Sequence, residues 1–207
     1  GWVAEPGGRG TAGLLWSCLF TIFICTWSAL HMNVPADNDS TMEIFLHKLR
    51  YMVIGVFTPE LISMLAYSDL RDAHTIVTAV NREQVGSWTT THGHLVVMGG
   101  LSVGSSDGRR MRLDGREFIR LITEKTLSMP IIDKLEIQDK SKADWVTKSI
   151  ACAQIAWFVC RLISRAVQRL PVTTLELFTL TIVCCTVTTY VLWWQKPHDI
   201  RKPFVIK

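Results

Sequence analysis

The chain has 207 residues, of which 48% are hydrophobic and 19% charged, with 22 Lys plus Arg against 18 Asp plus Glu. Its mean hydropathy is +0.23. Too much apolar side chain is present for a disordered chain. A net charge of +4 is too mild to argue for nucleic-acid binding, and 13 Gly and 7 Pro exclude a collagen-like repeat.

In chain order, the first element is a run without Asp, Glu, Lys or Arg from residue 10 to residue 36. Its apolar heart is Gly13–Met32. Twenty residues at about 1.5 Å each span about 30 Å, the hydrocarbon thickness of a bilayer. Trp16 and Trp27 stand towards its ends, as interfacial aromatic rings do. A signal-peptide core is shorter and is followed by small residues at a cleavage site. This run ends instead in LHMNVP, so a span is expected.

The second candidate, Tyr51–Ser68, carries Pro59 and a single charge, Glu60. Proline frees a backbone carbonyl and bends a helix. A kinked span is expected, with a re-entrant or interfacial helix as the alternative. The third candidate is Ser149–Ile163, uncharged up to Arg161; extended to Leu170 it carries Arg161, Arg165 and Arg169 on one helical face. It reads as a thin span with snorkelling arginines, or as an amphipathic helix in the membrane plane. The fourth, Val172–Trp194, has Pro171 and Glu176 at its start and no charge from 177 to 195.

The expected fold class is therefore an all-α membrane protein. It has about four transmembrane helices and a cytoplasmic mixed or helical segment between the second and third. Residues 1–68 would form a first helix pair, 69–148 a polar cytoplasmic segment with short amphipathic helices, and 149–207 a second pair with a basic tail. With four spans the N-terminus, the polar segment and the C-terminus share one side. The positive-inside rule makes that side cytoplasmic and places the Asn38-Asp39-Ser40 sequon across the membrane from it. An endomembrane or the plasma membrane is the expected address.

Within 69–148 there are 12 basic and 11 acidic residues. The glycine- and threonine-rich stretch 86–104 suits an extended or turning element. EFIRLITEKTL reads as a short amphipathic helix, and the stretch from Ile131 to Trp145 as one or two more. Arg109, Arg110 and Arg112 are candidates for contact with lipid head groups.

Chemical motifs are sparse. His92-Gly93-His94 places two potential ligands together, but a metal needs a third, so the pair reads as a hydrogen-bonding loop element and no metal site is assigned. Gly99-Gly100 and Gly104 lack the GK[ST] of a phosphate loop. The six cysteines all lie in apolar runs, where they read as buried or lipid-facing side chains. No cofactor and no catalytic residue is assigned. Ionisable groups between apolar flanks usually face a bundle interior or a water-filled path. Glu60, Gln154, Arg161, Arg165 and Glu176 are accordingly the candidates for a polar seam or ion path.

The strings WSCLFTIFICTW with SALHMNVP, WTTTHGHLVVMGG, DKSKADWVTK and WWQKPHDI follow one another along the chain. In this order they resemble a group of uncharacterised fungal multi-pass membrane proteins, over residues 11 to 203. That group usually carries Phe or Tyr where this chain has His94. It generally continues with more spans after the Trp–Lys–Pro element, so the chain resembles the N-terminal half of a longer protein, or a truncated gene product. The resemblance implies a membrane fold and brings no activity. The expected partners are membrane lipids, further copies of the chain or a C-terminal transmembrane half, and no nucleic acid. The expected roles are small-solute or ion passage or membrane scaffolding, with a membrane-bound enzyme of lipid or secondary metabolism as the alternative, for which His31, His92 and Glu60 are the candidates.

Overall fold

The structure is a computed structural model that describes residues 10–83, 88–104, 110–127, 132, 137, 144–198, 200 and 202–206. Three helices are long and apolar enough to cross a membrane, or four if a bent helix pair counts as one. They are α1 (Thr11–Ala29), α6 (Asp144–Val167) and α7 (Thr174–Leu192), and the bent pair is α2 (Thr41–Phe57) with α3 (Pro59–Glu83). The smaller elements are α4 (Thr90–Val97), β1 (Leu101–Gly104), β2 (Arg110–Arg112), α5 (Gly115–Thr123) and β3 (Phe204–Ile206).

The three long helices form a bundle around Cys18, Ile22, Cys25, Phe158, Ile182 and Val183. Ala29, Ala151 and Tyr190 meet at one end, and Ser17 meets Arg161 towards the other. Thus α1 and α7 run in the same direction and α6 runs against them. Serine and threonine hydroxyls in the bundle fold back onto carbonyls four residues earlier, as Thr26 does on Ile22 at 2.7 Å. That internal pairing lets polar side chains sit in an apolar helix. α6 is the peripheral member: 11% of its apolar window is buried, against 39% for α1 and α7. Its Trp157, Ile163 and Val167 face outwards, as do Trp16, Leu19 and Phe23 of α1. In a bilayer these are lipid contacts. Cys152, Cys160 and Cys184 are also exposed, and Cys18 and Cys25 are buried.

The bent pair differs from a simple kinked span. Ser40 and Glu43 form a capping box that starts α2. Pro59 then forces the chain to restart, and the axes of α2 and α3 bend by 115°. Near the apex, Ser63 donates to the Cys185 carbonyl at 3.2 Å and lies 3.0 Å from the Thr189 hydroxyl. Six residues on, Asp69 is level with Trp193 and Lys196 beyond the end of α7. The apex therefore enters the bundle to the depth of Cys185, about 10 Å below the end of α7 at about 1.5 Å per residue. Both outer ends of the pair open on the same side.

This corrects the side assignment. The Gly10 end of α1 lies opposite Trp193, so the N-terminal end and the polar segment do not share a side. The linker after α1 confirms it. Val34 donates to Met98, and Arg112 clamps the carbonyls of Val34 and Pro35 and the Asp37 carboxylate. The Asn38 sequon is thus on the side of the polar segment, not across from it.

The polar elements make a cap with its own core, which includes Val80, Leu95, Leu101, Leu113, Phe118 and Phe204. β1 pairs antiparallel with β2 and parallel with β3, in the order β2-β1-β3. Leu101 is opposite Phe204, so the chain after α7 is tied into the cap. The stretch 86–104, expected to be an extended or turning element, is so only in its second half, where the turn at Gly99 leads into β1; Thr90–Val97 is instead the helix α4. Its Gly93 packs on α3 so closely that a Cβ would stand 2.4 Å from the Ala73 carbonyl oxygen. That helix-to-helix approach, not the local composition, decides its conformation. Gly99, at φ +74°, turns the chain from α4 into β1. α5 matches the expected amphipathic helix, with Phe118 and Ile122 buried and Asp114 as its cap. The helix expected between Ile131 and Trp145 lies largely outside the described residues.

Candidate functional site

The seam residues separate into two kinds. In the bundle, Gln154 donates to the Thr21 hydroxyl at 2.9 Å and Arg161 to the Ser17 hydroxyl at 3.0 Å. Arg165 approaches Glu176 at 3.5 Å, with side chains 17% and 3% exposed. Arg165 also donates to the Pro171 carbonyl at 2.6 Å. Glu176 accepts from the Thr173 backbone at 2.9 Å, closing the capping box of α7. Each of these four residues is engaged in joining α6 to α1 or to α7. Glu60 does not join them. It is exposed in the first turn of α3. Of the head-group candidates, Arg112 holds the linker as described. Arg109 lies outside the described residues, and Arg110 contributes a described backbone position in β2.

A different set of residues surrounds open space. Where the bundle meets the cap, a cavity of about 320 Å³ lies between the linker after α1, α2, α3 and the chain after α7. Its apolar wall includes Leu30, Ile44, Ile62 and Leu65, and its polar wall includes Asn33, Asp69, Lys196 and His198. The volume is within the range of small-molecule sites.

Lys196 is the centre of the polar wall. It is 2% exposed. Its Nζ donates to Asp69 Oδ2 at 2.7 Å and to Asn33 Oδ1 at 3.2 Å, and lies 4.4 Å from the centre of the Trp193 ring. Trp193 Nε1 donates to the same Asp69 oxygen at 3.1 Å. Burial pushes the Lys196 ammonium below its ordinary pKa, and the Asp69 carboxylate opposes that shift. One ion pair thus ties the linker, α3 and the end of α7 together.

Histidines surround this pair. The rings of His31 and His198 are 5.0 Å apart and edge to face. His31 Nδ1 is 2.9 Å from the Ala29 carbonyl, which makes it the protonated nitrogen. His94 is fully buried. Neither of its ring nitrogens has a hydrogen-bond partner among the described residues. Burial, reinforced by Lys196, holds its pKa at about 4, so the ring is neutral at physiological pH. His92, by contrast, is structural. Its Nδ1 accepts from the Thr89 backbone at 3.2 Å, and its Nε2 donates to the Ile132 carbonyl at 3.0 Å. Its ring stacks on Trp88. The described residues contain no group of three His, Cys, Asp or Glu side chains arranged to hold a metal.

This site was not assembled by sequence reasoning. Asp69 is the first residue of the polar segment, Lys196 falls in the basic tail, and His94 is one of the two histidines of the His92-Gly93-His94 pair. The available signal was local: Lys196 sits between two tryptophans and a proline, His31 lies at the end of the first apolar run and Asn33 directly follows it.

Long apolar helices, a shallow bent pair and a polar cap define an integral, multi-pass membrane protein. More narrowly, the chain belongs to a family of unknown function (DUF8562), whose model matches residues 1–207. Comparison with curated proteins and with solved structures finds no match.

Proposed function

We propose that this is a membrane-anchored binding protein that takes a small amphipathic molecule from the membrane surface into the cavity between bundle and cap. The carrying observation is the Asp69–Lys196 pair in the wall of a 320 Å³ space whose other wall is apolar. A charged pair beside an apolar wall suits a ligand with a polar head and an apolar body. Passage through the bundle has weaker support. Gln154, Arg161, Arg165 and Glu176 are engaged between helices, and neither they nor Glu60 line the cavity. A pore would need an assembly of copies or further spans. No catalytic motif favours the enzyme reading.

Native mass spectrometry tests the proposal. The full chain in lipid nanodiscs is titrated with octanol, octanoate and octylamine. The expected result is one saturable adduct per chain with at least one of them, lost in Ile44→Trp, which fills the cavity. No saturable adduct with any of the three overturns the proposal.

The same reading puts the cap on the cytoplasmic side. Its flanks carry Lys48, Arg50, Arg71, Lys148 and Lys196, against Arg161, Arg165 and Arg169 opposite. Asn38 then carries no glycan, and a glycosylated Asn38 in a eukaryotic host reverses the orientation.

A further inference from the structure

We propose that the cavity selects an uncharged amphiphile, with a hydroxyl or carboxamide head on a short apolar tail; this rests on the binding function proposed above. The charges of the lining balance, with Lys48 and Lys196 against Asp39 and Asp69. They are also engaged by the protein itself. Lys196 donates to Asp69 and Asn33, and Asp69 accepts in addition from Trp193. Asp39 Oδ2 accepts from the Ala36 backbone at 2.8 Å, and Lys48 lies over the Trp27 ring at 4.7 Å. The rings of His31 and His198 meet edge to face, and Lys48, His31 and His198 are engaged further. An ionic head of either sign would leave water for a wall that holds no unbalanced charge opposite to its own, and burying such a charge is costly. A zwitterionic head would have to part Lys196 from Asp69, which are 2.7 Å apart. A neutral head gives up less hydration and leaves every pair intact.

Neutral groups stand in the same wall to meet such a head. The bond from Lys196 uses the Asn33 oxygen and not its NH2, which is a donor. Tyr51 adds a phenol hydroxyl that can donate and accept. Ile62 and Leu65, one helical turn apart on α3, supply the apolar floor for the tail. On α2, Phe45, Leu46 and Val53 are exposed apolar side chains, suited to an interfacial surface from which an amphiphile enters.

The test is equilibrium dialysis of radiolabelled octanol, octanamide, octanoate, octylamine and octylphosphocholine against the full chain in nanodiscs, at pH 8, above the ordinary range of imidazole. Each isotherm is plotted against the amount of probe held by empty discs, so that partitioning into lipid cancels. Octanol or octanamide is expected to saturate at one per chain, about tenfold tighter than any of the three charged probes. Lys48→Gln leaves the lining with an excess of negative charge and should bring octylamine about threefold closer to the neutral probes. Ile44→Trp and Leu65→Trp, each with thermal unfolding unchanged, should abolish the binding. A charged probe that binds as tightly as the neutral ones overturns the neutral assignment and leaves the cavity reading standing. An octylamine ranking unmoved in Lys48→Gln overturns charge balance as the basis of selection. Saturable binding that survives both tryptophan variants, or no saturable binding of any probe, overturns the cavity reading and the assignment together.

Discussion

The bundle and the junction beneath the cap treat polar side chains in opposite ways. In the bundle the long polar side chains of α6 are matched to a neighbouring helix: Gln154 to Thr21, Arg161 to Ser17 and Arg165 to Glu176. At the junction Asp69, Lys196, His31 and His198 gather on the wall of an open volume. The difference follows from solvent. In lipid an unmatched polar group has nothing to bond to, so it is retained where it joins helices. At the interface water and head groups are available, and polar groups can surround a space without being consumed by it. If the cavity binds a ligand as proposed, ionisable residues just beyond the span ends are a better guide to function here than those within the spans.

Three perturbations sharpen that contrast. The largest effect is expected in the bundle. Glu176→Leu leaves Arg165 buried without its partner and removes the Glu176 half of the capping box of α7, so stability to SDS titration should fall by about 4 kcal/mol. The double variant Arg165→Leu/Glu176→Leu, which removes both charges, should recover more than half of that loss. If it does not, the pair is more than a helix stitch.

The junction should instead show itself through pH. The His94 imidazole ionises near 4 in the folded protein, against an ordinary 6.5. Between those values the unfolded chain binds a proton that the folded chain does not. Stability is thus fully present above about pH 6.5 and falls as the pH drops towards 4, by up to about 3 kcal/mol. Lys196, Asp69, His74 and His31 are the ionisable neighbours acting on this ring. His94→Leu should flatten the slope, as measured by denaturation at pH 4.5 and 7; an unchanged slope assigns the acid sensitivity elsewhere.

The smallest effect is again within the bundle. Gln154→Leu removes one interhelical hydrogen bond and should cost about 1 kcal/mol. It should leave amphiphile binding unchanged, because Gln154 is remote from the cavity lining. Loss of binding in this variant would erase the division between the two regions.

Much of the membrane part was legible in the sequence. Apolar runs as long as Gly13–Met32 and Val172–Trp194 have one low-energy environment, and their length matches a bilayer. α5 was legible too, since Glu117, Phe118, Leu121 and Ile122 carry a helical period. The bent pair was only half legible. Pro59 announces a break, but its 115° angle depends on how α3 packs against α7 at Ser63 and Asp69. α4 was misread because its threonines and glycines favour turns locally, whereas its close seat on Ala73 favours helix.

The sequence by itself determined that Gly13–Met32 and Val172–Trp194 are long and apolar enough to lie in lipid, because hydrophobic length is a local property that no later packing can reverse. It did not determine sidedness or the site. Both depend on residues separated by more than a hundred positions, such as Asp69 and Lys196. Only the folded chain brings their charges within hydrogen-bonding distance, where burial and electrostatics can act on them.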